Sequence, residues 1–77
     1  MTLLEAFQVV HIFSSQGQPL KLILEHVKID DGSIAVDITA EHGPNLIFSD
    51  CNFNTMSDAI IALANNLKEI KRNEPIT

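Results

Sequence analysis

Between Asn54 and Arg72 the large apolar residues Met56, Ile60, Leu63, Leu67 and Ile70 recur at steps of four, three, four and three. That spacing puts them along one side of an α-helix. Thr55-Met56-Ser57-Asp58 supplies a hydroxyl cap and an acid for the positive end of the helix. Asn54 is an equally good cap. Lys68, Lys71 and Arg72 fall in the last turns, where the dipole favours cations. Pro75 cannot continue the helix, so the sequence predicts one domain over 1–73 and a frayed tail over 74–77. Ala59, Ala62 and Ala64 flank the stripe and allow a close approach to a sheet.

A chain of 77 residues has little core to spend, so the rest must cover this stripe. Thr2-Leu3-Leu4-Glu5 is a capping box. Behind it Leu3, Ala6, Phe7, Val10 and Phe13 keep helical spacing, with Glu5, Gln8, His11 and Ser15 opposite. The spacing predicts a helix over 3–13, stopped by Gly17. The β-rich run Phe7–Phe13 leaves a strand as the alternative.

Leu20–Ile29 reads as a strand. Leu20, Leu22 and Leu24 share one parity, Val27 and Ile29 the other, which predicts a β-bulge near Glu25-His26. Asp30-Asp31-Gly32-Ser33 predicts a tight hairpin with Asp31 and Gly32 as turn residues, Ile29 facing Ile34 and Val27 facing Val36. In the second strand Ile34, Val36, Ile38 and Ala40 point inward. Glu41–Asn45 is turn composition. Leu46–Asp50 reads as a short third strand with Leu46 and Phe48 inward, and Cys51-Asn52-Phe53 as a lead-in to the last helix. The fold class is therefore α+β, in the order α-β-β-β-α: a three-stranded antiparallel meander with two helices packed on its Ile34/Val36/Ile38 face. The opposite face carries a thin apolar strip of Ile23, Ala35 and Ile47.

This element order resembles the double-stranded-RNA-binding-domain-like fold, and small phage proteins with an α/β sandwich look similar. The resemblance is one of topology. That RNA-binding family places lysines at the start of its last helix, where this chain has Asn54, Thr55, Met56, Ser57 and Asp58. Its first hairpin loop enters a minor groove, where this chain has acidic Asp30-Asp31-Gly32-Ser33. The resemblance implies the fold; the RNA-binding motif is absent.

Charge points the same way. Net charge is −5, and the body before Lys68 carries eight acids against Lys21 and Lys28. Phosphate backbones are bound through Lys and Arg, so nucleic acid is disfavoured; the alternative is weak binding through the basic end of the last helix. His11, His26 and His42 lie on three elements without ligand spacing. Cys51 reads as a small buried hydrophobe rather than a nucleophile, and one cysteine excludes an internal disulfide. Gly17, Gly32 and Gly43 are isolated, so no loop cradles a phosphate. The apolar stripe of the last helix is too short for a coiled-coil seam. No catalytic, cofactor or metal residue is expected.

No apolar run is long enough to span a membrane, and no basic residue stands before the first apolar segment, so a signal peptide is not expected. With a single cysteine, a cytoplasmic setting is expected. The functional expectation is a small, acidic, non-enzymatic protein-interaction module, working as an inhibitor or adaptor on a nucleic-acid-handling protein, or pairing with itself as a homodimer through a sheet edge. The candidate surface is Asp30, Asp31, Asp37, Glu41 and Asp50 with Leu46 and Ile47. Leu46–Asp50 is the expected pairing edge.

Overall fold

The computed structural model describes residues 1–16 and 19–73, with side chains described as far as residue 70. Helix α1 spans Leu3–Ser14, strand β1 Leu20–Lys28, β2 Ile34–His42, β3 Asn45–Phe53 and helix α2 Met56–Asn73. The three strands form one open antiparallel sheet in the order β1-β2-β3. This is the α-β-β-β-α arrangement expected from the sequence. Gly17 and the tail from Glu74 lie outside the described residues.

Both helices start as their caps dictate. Thr2 Oγ1 accepts the Glu5 backbone N–H at 3.2 Å, while the Glu5 carboxylate reaches back to the Thr2 N–H. This decides Phe7–Phe13 for helix over strand. Thr55 Oγ1 accepts the Asp58 N–H at 3.1 Å. Along α2, Ile60, Leu63 and Leu67 are buried with Ala59 and Ala64, whereas Met56 is 39 % exposed. The alanines bring α2 down onto β2 and β3, over Val36, Ile38, Ala40 and Phe48. Helix α1 packs mainly against α2, burying Ala6, and meets the sheet through β1. The core is thus one seam under α2, and α1 is propped beside it rather than laid across the whole sheet.

The β1–β2 register runs unbroken from Leu20 opposite His42 to Lys28 opposite Ile34. The expected bulge at Glu25-His26 is absent. The change of apolar parity has another cause: beyond Leu24 the helices no longer cover β1, although Val36 opposite His26 stays buried. His26, Lys28 and Ile34 take the helix side there, all exposed, and Val27 and Ile29 take the other. Ile34 is accordingly a surface residue, not an inward one. The hairpin is also one residue off the expected pairing. Gly32 N–H bonds Ile29 O and Ile29 N–H bonds Ser33 O, each at 2.9 Å. The loop is therefore the three residues Asp30-Asp31-Gly32, with Gly32 at φ +89° completing a glycine bulge. Asp31 Oδ1 accepts from both the Ser33 N–H and its hydroxyl, which favours this loop over the two-residue turn.

The irregularity sits in β3, which is longer than expected and includes Cys51-Asn52-Phe53. One register shift lies between Ala40 and Glu41, a second between Val36 and Ile38. The first turns Leu46 outward, 62 % exposed, and tucks Ile47 toward the core beside Phe48. The second holds Asn52 at φ +66° and brings Phe53 opposite Val36. On the face away from the helices, Ala35 is buried at 6 % exposure but stands apart from the main core.

Candidate interaction surface

An open three-stranded sheet has two edges, and they differ here. The β3 edge is broken by both bulges, a device that discourages another strand from pairing. The β1 edge is regular for nine residues. Its free groups follow from the hairpin. Ile29 bonds across to Ser33, so Val27, Glu25, Ile23 and Lys21 also face β2. The N–H and C=O groups of Leu20, Leu22, Leu24, His26 and Lys28 then point away from the sheet. Ser14 Oγ accepts the Leu20 N–H at 3.1 Å, which ends the free edge at that residue.

That bond also fixes which flank of α1 overlooks the edge. Leu3, Phe7, Val10 and Ser14 form one row at steps of four, three and four. Ser14 touches the β1 edge, so the row lies on that side. Phe7, in the middle of it, is 49 % exposed. Leu4, 68 % exposed, and His11 lie further round the helix. A backbone edge that none of the described residues pairs and an exposed phenyl ring therefore share one side of the molecule.

The five candidate carboxylates do not converge. Asp30 and Asp31 sit at the hairpin tip, Asp37 and Glu41 on the sheet face away from the helices, and Asp50 on the β3 edge opposite Ile38. Leu46 is exposed on β3 while Ile47 is partly buried. Hydrogen bonds from Ser33 hold the Asp31 carboxyl below the ordinary range, and those with Thr2 do the same for Glu5. Asp37 stands directly opposite Glu25, a like-charge pair that costs stability in a sheet.

Cys51 is exposed rather than buried. His26 is exposed in regular strand. His42 stacks against Phe13 with ring centroids 5.0 Å apart. Among the described residues, no three His, Cys, Asp or Glu side chains gather as metal ligands would. A groove of about 200 Å³ opens between α1 and the end of α2, lined by Val9, Ile12, Phe13, Gln16, Leu67 and Lys68. It falls short of the roughly 300 Å³ at which small-molecule sites begin. Lys68 is exposed beside it, and the side chains of Lys71 and Arg72 lie outside the described residues. Among the described residues, no helix is long and apolar enough to cross a membrane.

The β1 edge and the Phe7 flank were hidden in the sequence because an edge is a property of strand order. The signal that was available is the nine-residue run of β1 without Gly or Pro. Comparison of the chain with known protein families, curated proteins and solved structures gave no match.

Proposed function

We propose that this chain is a small non-enzymatic protein-interaction module that works by adding a strand at β1. The observation that carries the reading is the regular β1 edge, unpaired among the described residues, beside the exposed Phe7. Main-chain groups at such an edge provide affinity, and the side chains alternating above and below it provide selectivity. The bulged β3 edge leaves β1 as the pairing side.

The test is residue-resolved amide exchange on the 15N-labelled chain, at low concentration, at high concentration and in native cell extract. Protection of the Leu22, Leu24 and His26 amides is expected once an occupant is present. His26→Pro removes an outward N–H without touching the β1–β2 ladder and is expected to abolish that protection. Free exchange of these amides under every condition defeats the reading.

A further inference from the structure

We infer that the occupant of the β1 edge is a second copy of this chain, paired antiparallel about a two-fold axis at Ile23; this rests on the edge-pairing reading above. The outward groups belong to the even-numbered residues of β1, so a two-fold pairing must centre on one residue of the strand. Centred on Glu25, it sets that carboxylate against its own copy. Centred on Leu24, it sets Ile23 against Glu25. Centred on Ile23, it sets Leu22 against Leu24, Ile23 against Ile23, and Lys21 directly against Glu25 of the second copy. Only this last register matches apolar with apolar and cation with anion at each of these positions.

Two further features fit the same register. Within one chain Glu25 faces Asp37, and no cation among the described residues bridges them. Lys21 of the second copy would arrive beside that pair. The second feature is Phe7. From Ser14, beside Leu20, the helix climbs back seven residues to Phe7, about 10 Å at 1.5 Å per residue. From Leu20, β1 advances three residues to Ile23, again about 10 Å. A helix running back along β1 from that contact would bring Phe7 level with the axis, on the flank facing the edge. A two-fold there puts the helices of both copies on one side of a continuous six-stranded sheet, with the Phe7 rings meeting over its centre. Leu20, whose N–H is held by Ser14, still offers its carbonyl to the His26 N–H of the second copy.

Charge exchange tests the register, read by sedimentation equilibrium on the full chain. Lys21→Glu and Glu25→Lys are each expected to weaken the dimer at least tenfold, and the double variant to recover to within about threefold of the parent, because only direct opposition of the two positions makes them compensate. Ile23→Cys, in a Cys51→Ser background, is expected to form an interchain disulfide under mild oxidation. Facing residues whose backbone groups point back to their own sheets lie about 4.5 Å apart at Cα, within disulfide reach. Circular dichroism identifies any variant that fails to fold; the state of the parent chain and the cross-link then decide. A strictly monomeric parent at several hundred micromolar overturns the inference. So does a dimer without double-variant recovery, or one lacking the Ile23→Cys cross-link. Amides protected in extract but not in concentrated pure protein, with a monomeric chain, would leave strand addition standing and remove self-pairing alone.

Discussion

Asp37 Oδ1 accepts the backbone N–H of Asn52 at 3.3 Å, across the bulge where Asn52 sits at φ +66°. Asparagine tolerates this left-handed conformation, and residues with a fuller Cβ environment do not. Asn52→Gly is expected to change stability by less than about 0.5 kcal/mol, since glycine takes positive φ freely. Asn52→Val is expected to lose at least about 1 kcal/mol. Urea denaturation of both variants checks this, and equal losses would mean that the bulge is not held by the backbone of Asn52.

Leu63 and Leu4 are the same residue type in opposite settings. Leu63 is wholly buried between α2 and the sheet, whereas Leu4 is 68 % exposed on α1. Leu63→Ala is expected to cost about 3 kcal/mol through lost burial and the cavity left behind. A domain of this length holds roughly 4–11 kcal/mol in total, so that loss brings it near unfolding. Leu4→Ala is expected to stay within about 0.5 kcal/mol. Denaturant midpoints for the pair measure how far stability is concentrated under α2.

Glu5 and Asp31 supply the acid dependence. The Thr2 hydroxyl and backbone N–H lower the carboxyl of Glu5, and the Ser33 hydroxyl and N–H lower that of Asp31. A carboxyl lowered on folding binds its proton more weakly in the folded chain than in the unfolded one. Its contribution is full above the ordinary carboxylate range, near pH 4, and is lost as pH falls through the lowered folded value. The melting temperature is therefore expected to fall as pH drops from about 5 to about 2.5. Thr2→Ala lowers the melting temperature at neutral pH and flattens that fall. A pH profile identical to the parent's would show that the capping box of α1 is not coupled to titration.

The helices and the hairpin order were legible because their signals are local: caps, turn residues, and apolar steps of three and four. What was not legible depends on what covers what. The parity change between Leu24 and Val27 looks like a bulge in sequence, but it marks the end of helical cover. In β3 one extra residue between Phe48 and Phe53 lets both pack toward the core five residues apart, a second breaks the alternation before Phe48, and the strand reads short. Phe7 fits the inward spacing of α1 as well as Val10 does; its exposure is set by α2, which α1 meets along Ala6. The acidic residues were visible as a total, but their dispersal over tip, face and edge follows from register.

His42 shows how one polar atom can be poorly served in so small a core. Its ring packs at 5.0 Å and 59° against Phe13, yet Nε2 is buried with no hydrogen-bond partner among the described residues. A buried polar group left unpaired costs about 1–3 kcal/mol, and an apolar group of similar shape removes that cost. His42→Phe keeps a tilted aromatic pair and is expected to stabilise the chain by about 1 kcal/mol. His42→Ala loses the ring contact and leaves a gap beside Phe13, so it is expected to destabilise by about 1 kcal/mol. Opposite signs in thermal denaturation would assign the destabilising contribution to the nitrogen and the stabilising one to the ring. A loss on changing to phenylalanine would mean that Nε2 is hydrogen-bonded in solution.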